Sequence, residues 1–208
     1  MFYVKIIHGS INKLNVETNM YKICKTEKSQ KRQIEVERAL YELLKKKNYD
    51  DITVTELCEA VNMPRKAFYR YFDEKKDVLD FMLDQTLTKY GYFFNSNLKR
   101  NHRKELEEYF RFWLENKELL EILDKNDLIN NLFECVSRFP VNDIISVSKY
   151  LPNDNEWART KIFEFAIFGL LFEAINWYKE GFKTDISDIV DITVRLFCHP
   201  LFPNLNKK

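Results

Sequence analysis

Glycine and proline are scarce in this 208-residue chain, at four and five residues. Sheet proteins need many turns, and turns draw on those two residues. Their scarcity excludes a turn-rich β fold and favours long helices with few breaks. Charge of one sign is lacking too. The 33 Lys and Arg stand against 32 Asp and Glu, a formal net charge of +1, so attraction to a polyanion must rest on a local basic patch. Cysteine is sparse. Cys24, Cys58, Cys135 and Cys198 include no C-x-x-C pair, and the three histidines are far apart; this argues against a disulfide framework and a zinc site. Scattered reduced thiols fit the cytoplasm. No uncharged apolar run approaches the roughly 18 residues of a membrane-spanning helix, and the start of the chain lacks the long apolar core of a signal peptide. Phosphate loops and nucleophile–base motifs are also missing, and the acid pairs fall on amphipathic helices as solvated faces. The sequence therefore points to no enzyme, catalytic residue, cofactor or metal.

What is present is apolar content of 45%, rich in Phe, Tyr, Leu and Ile, enough for a core. The expected fold class is all-α. Residues 1–25 read as an N-terminal extension, an arm or a disordered leader, with Met20 a plausible alternative start. No internal repeat or low-complexity tract appears. From about Ser29 the pattern is helical: Val36, Ala39, Leu40, Leu43 and Leu44 share one face. After a break at 48–51, Thr53-Val54-Thr55-Glu56 reads as a capping box opening a short helix at about 54–61. Asn62-Met63-Pro64 is a tight turn, Asn tolerating the left-handed conformation and Pro suiting a first helical turn. A second short helix is expected over 65–72. Further helices are expected at roughly 77–98, 103–123, 126–137, 141–150, 156–180 and 185–198.

Two short helices joined by a three-residue turn make a helix-turn-helix, in which the second helix enters the major groove. Between Asn62 and Lys76 there are five Lys or Arg (65, 66, 70, 75, 76) against two acids (73, 74), a local +3. Phe68 and Phe72, four apart, can root the helix while Arg65, Lys66 and Tyr69 project elsewhere.

The run Ile52-Thr53-Val54-Thr55-Glu56-Leu57, then Ala60-Val61-Asn62-Met63-Pro64, Phe68-Tyr69-Arg70-Tyr71-Phe72 and Lys75 resembles the TetR family of bacterial regulators, specifically over about 29–85. The resemblance implies a three-helix DNA-binding domain (26–76), a linking fourth helix, and a C-terminal helical domain (77–208) for dimerisation and ligand sensing. It implies that Tyr69 and Lys75 hold phosphates and that Thr53 and Thr55 touch DNA at the start of the bracing helix. Arg65, Lys66, Ala67, Arg70 and Tyr71 fall where bases or flanking phosphates are met. Arg65 is the first choice for a bidentate guanine contact. The departures are Asn62 for the usual turn Gly, Pro64 for the usual capping Ser, and Lys66 and Ala67 for a frequent Gly and Thr. These bear on the operator sequence, not on the mode of binding.

In the C-terminal half, 156–180 is apolar nearly all round and must be covered on every side. Ala166, Gly169, Ala174 and Trp177, with Ile189 and Phe197 of the last helix, are the expected homodimer interface. The stretch from Gly169 to Phe182 faintly resembles a C-terminal domain of some TetR-like regulators. Aromatics of the middle segment (Tyr90, Tyr92–Phe94, Tyr109, Phe110, Phe112, Trp113, Phe133, Phe139) could line a pocket for an apolar effector. Phe110, Trp113, Phe133, Phe165, Phe168 and Phe172 are its expected lining, with core packing the alternative. The expected function is a cytoplasmic, sequence-specific regulator on a pseudo-palindromic DNA operator, a repressor released by a small apolar molecule. The alternative is a TetR-like regulator acting through a protein partner.

Overall fold

The computed structural model describes residues 21–96, 102–138 and 155–198. Among them the chain is helical throughout, with no strand. Helix α1 spans Glu27–Leu44; the hydroxyl of its N-cap Thr26 accepts from the Ser29 amide at 3.2 Å. The expected stripe points inward: Val36, Ala39, Leu40 and Leu44 are buried. A 3-10 turn at Tyr49–Asp51 leads to α2, Val54–Ala60, and α3, Arg65–Phe68. The long α4, Lys75–Ser96, follows, then α5 (His102–Glu115), α6 (Lys117–Lys125), α7 (Ile129–Ser137), α8 (Glu156–Lys179) and α9 (Ile186–Cys198).

Three expectations change. The helix expected over 65–72 is α-helical only to Phe68. Beyond it Arg70 N bonds Ala67 O and Tyr71 N bonds Phe68 O, the tighter i to i+3 pattern of a closing turn. The expected helix over 103–123 is broken at Asn116, whose Nδ2 takes the Phe112 carbonyl at 2.7 Å; a short amide side chain competes there with the helix ladder. Residues 21–25, grouped with the extension, lie packed on the domain: Tyr21 and Cys24 are buried. The extension through residue 20, the helix expected over 141–150, Phe139 and the side chains of Tyr90 and Tyr92–Phe94 lie outside the described residues.

One apolar core joins both halves. Leu57, Phe68 and Phe72 belong to one cluster with Val78, Leu79 and Met82 of α4, and the same cluster includes Phe110, Trp113 and Trp177. Fully burying one such side chain contributes roughly 1.5–3 kcal/mol. Polar contacts also cross between the halves. The Tyr49 amide donates to Asn126 Oδ1 at 2.7 Å, and Tyr41 Oη donates to Glu118 at 3.0 Å.

Candidate nucleic-acid interface

The turn between α2 and α3 closes as a Schellman motif. Met63 N bonds Cys58 O at 2.8 Å and Asn62 N bonds Glu59 O at 3.2 Å, with Asn62 at φ 46°, the left-handed conformation a helix C-terminus commonly takes. Helix α2 starts with the reciprocal capping box that the spacing predicts. The Thr53 hydroxyl accepts from Glu56 N at 3.2 Å, and Glu56 Oε2 accepts from Thr53 N at 2.9 Å. Lys47 also pairs with Glu56. That hydrogen bond first, then those from Thr53, lowers the Glu56 carboxyl to about 2. Pro64 supplies no side-chain cap to α3.

Helix α3 turns Phe68 wholly inward, and Phe72 after it is equally buried; their rings pack at 5.6 Å. With the inner side so fixed, Arg65, Lys66, Tyr69 and Arg70 are exposed together, while Ala67 and Tyr71 are half-buried. Tyr69, 40% exposed, receives a hydrogen bond on its hydroxyl from Arg65 Nε at 3.3 Å. Thr53 and Thr55 are exposed at the start of α2, though the Thr53 hydroxyl is committed to its cap. The result is a basic, hydrogen-bonding surface on a rigid apolar base, as entry into a groove requires.

Lys75, expected to hold a phosphate, is bonded within the chain. Its ammonium donates to three backbone carbonyls, of Tyr49 (2.5 Å), Ile52 (2.8 Å) and Asp50 (3.4 Å), and burial lowers its pKa. It fastens the segment before α2 to the start of α4. No local pattern marks this, because the partners lie 23–26 residues away. The α4 start carries a further unforeseen cap: Asp77 Oδ2 accepts from the amides of Asp73 and Glu74 at 2.7 and 3.2 Å.

The expected pocket and dimer residues are redistributed. Phe110 and Trp113 are wholly buried, and Phe133 stacks on Phe168 at 6.0 Å. Phe165 and Phe172, expected in a pocket, are 82% and 59% exposed. Ala174, Trp177 and Ile189, expected between subunits, are buried within the chain's own core, whereas Gly169 and Phe197 are exposed and Ala166 is half-buried. An apolar helix carries no phase information, so sequence cannot assign its inner side.

Residues 38–81 match the profile of the family described as "Bacterial regulatory proteins, tetR family". The curated proteins include no match to this chain. Among solved structures, the fold is similar to "fatty acid degradation regulator FadR from Bacillus halodurans". That match has 17% identity and TM-score 0.56, covering 86% of this chain and 98% of that one. It is also similar to "Dihydroxyacetone kinase operon activator DhaS", with 16% identity and TM-score 0.50, covering 80% of this chain and 93% of that one.

Proposed function

From the TetR-family DNA-binding domain that this chain carries over residues 38–81, we infer a dimeric, sequence-specific transcriptional regulator that reads a pseudo-palindromic operator in the cytoplasm. One observation carries the inference. Arg65, Lys66, Tyr69 and Arg70 are exposed as a group while Phe68 and Phe72 beneath them are fully buried. Arg65 reads a base edge, and Tyr69 and its neighbours hold the phosphates that set register.

The second subunit is recruited by the outer side of α8 and α9. Ile162, Phe165, Gly169 and Phe172 recur at i, i+3, i+7 and i+10, and Ile162, Phe165 and Phe172 are all exposed. Ile192, Leu196 and Phe197 of α9 are exposed as well. A patch of this kind marks an association surface, and a two-fold partner covers it with its own copy. The regulator acts as a repressor by occupying its operator, and a small, mainly apolar effector in the C-terminal half releases it. Two buried donors support that last element. Trp113 Nε1 and Gln85 Nε2 have no hydrogen-bond partner among the described residues, and burying such groups unpaired costs stability. Selection of duplexes from a random-sequence pool by the full chain, with sizing of the complex, tests the proposal. A recovered two-fold site bound by two subunits supports it; no enrichment contradicts it.

A further inference from the structure

Residues 21–25 tie three parts of the molecule together. Tyr21 is buried, its hydroxyl donates to Asp84 Oδ2 at 2.9 Å, and its ring meets Phe81 edge-on at 5.1 Å. Phe81 packs on Phe72 at 5.8 Å and Phe72 on Phe68 at 5.6 Å. A row of rings therefore runs from the leader to Phe72, just past α3, and Phe68 within it. Lys22 grips the outer side of the same region: its Nζ donates to the Tyr69 carbonyl and to Asp73 Oδ1, both at 2.5 Å. The Lys22 carbonyl accepts from Gln33 Nε2 at 2.7 Å, an amide that also reaches the Tyr71 carbonyl at 3.4 Å. Asp84 has a second partner from the C-terminal half, Cys135 Sγ of α7, which donates to its other oxygen at 2.7 Å. Beside it, Arg138 just past α7 donates to the buried Asp80 at 3.3 Å.

We infer that Tyr21 and Lys22 are positioning residues for DNA recognition, forming a strap that fixes the pose of α3 and its closing turn and, through Asp84, joins that pose to α7. Helix α3 has four residues and no side-chain cap, and so short a helix has little stability of its own. Its orientation has to be imposed from outside, and a bidentate base contact depends on that orientation. The Lys22 ammonium is committed to two protein oxygens. It therefore acts by holding the reading helix rather than by neutralising a phosphate.

The inference rests on the DNA-binding function proposed above, and its test separates the two. Full-length wild type first selects its preferred duplex from a random-sequence pool. Lys22→Met, Lys22→Arg, Tyr21→Phe and Cys135→Ala are then titrated with that duplex and a scrambled one across a salt series. Lys22→Met is expected to lose about tenfold on the selected duplex, about 1.4 kcal/mol. It should lose little on the scrambled one and keep its salt slope, and Lys22→Arg should recover most of the loss. Tyr21→Phe, which keeps the row of rings, and Cys135→Ala, which removes the α7 partner of Asp84, should likewise lower discrimination. An equal loss on both duplexes with a salt slope lower by about one per subunit would make Lys22 a phosphate contact and overturn the inference. Unchanged discrimination in Lys22→Met and Tyr21→Phe overturns it too, and unchanged discrimination in Cys135→Ala severs the link to α7. Lys22 is a surface residue, so its variants report even if a buried substitution unfolds the chain. If wild type selects no sequence, the DNA-binding proposal fails first and this inference falls with it.

Discussion

The Lys75 ammonium donates to the Tyr49 carbonyl at 2.5 Å and lies over the same residue's ring, 4.1 Å from its centroid. A lysine held this way supports the fold of the reading head. Lys75→Met should destabilise the chain in urea by about 1–3 kcal/mol, the loss expected when half-buried carbonyls lose a charged partner. The salt dependence of DNA binding by the folded fraction should not change. Unaltered stability with a salt slope lower by about one per subunit would instead place Lys75 on a phosphate.

Arg65 and Lys66 are adjacent and both exposed, but they should fail differently. Arg65→Ala should cost about 1–3 kcal/mol on the selected duplex and relax preference at one position per half-site. Lys66→Ala should weaken all duplexes by a similar factor. Repeating the pool selection with each variant distinguishes the two, and an unchanged consensus for Arg65→Ala would remove it from base reading.

Glu56 gives the domain a pH dependence of known sign. Its carboxyl is lowered from the ordinary 4.5 to about 2, chiefly by Lys47 and then by Thr53. The folded state therefore favours the charged form. Its contribution to stability is fully present above about pH 4.5 and is lost as pH falls toward 2. Glu56→Gln should be less stable than wild type at pH 7, and the two urea curves should converge as pH falls through that window. A constant gap would show that the charge is not responsible. Added salt should narrow the gap at pH 7, since the pair is near the surface.

Exposure on α8 separates two kinds of substitution. Phe165→Glu should leave the fold intact and yield monomers in sedimentation, because Phe165 is 82% exposed. Trp177→Ala should unfold the chain, since truncating a buried aromatic costs about 3–5 kcal/mol. A Phe165→Glu dimer indistinguishable from wild type would move the interface elsewhere.

Much of the DNA-binding half was legible in the sequence because its signals are local. The α1 stripe, the Thr53–Glu56 box and the left-handed Asn62 each depend on residues within a few positions of one another, and the structure shows all three. Contacts distant in sequence were not legible. Lys47 on Glu56, Lys75 on Tyr49 and Tyr21 on Asp84 span 9, 26 and 63 residues, and nothing in a local pattern encodes them. In the C-terminal half the exposure of each aromatic was not legible: Phe165, expected in a pocket, is exposed, and Trp177, expected between subunits, is buried. Trp177 and Phe165 look alike in an apolar helix, and only packing shows that one faces inward and the other outward.

The central claim is that the surface carrying Arg65, Lys66, Tyr69 and Arg70 reads DNA sequence. Equilibrium binding of the wild-type chain to its selected duplex and to a scrambled duplex of equal length, at one fixed salt concentration, tests it most directly. The expected result is an affinity for the selected duplex at least about 10³-fold tighter, as specific sites show, with half-sites about one helical turn apart. Equal affinity for the two duplexes, or none for either, would contradict it.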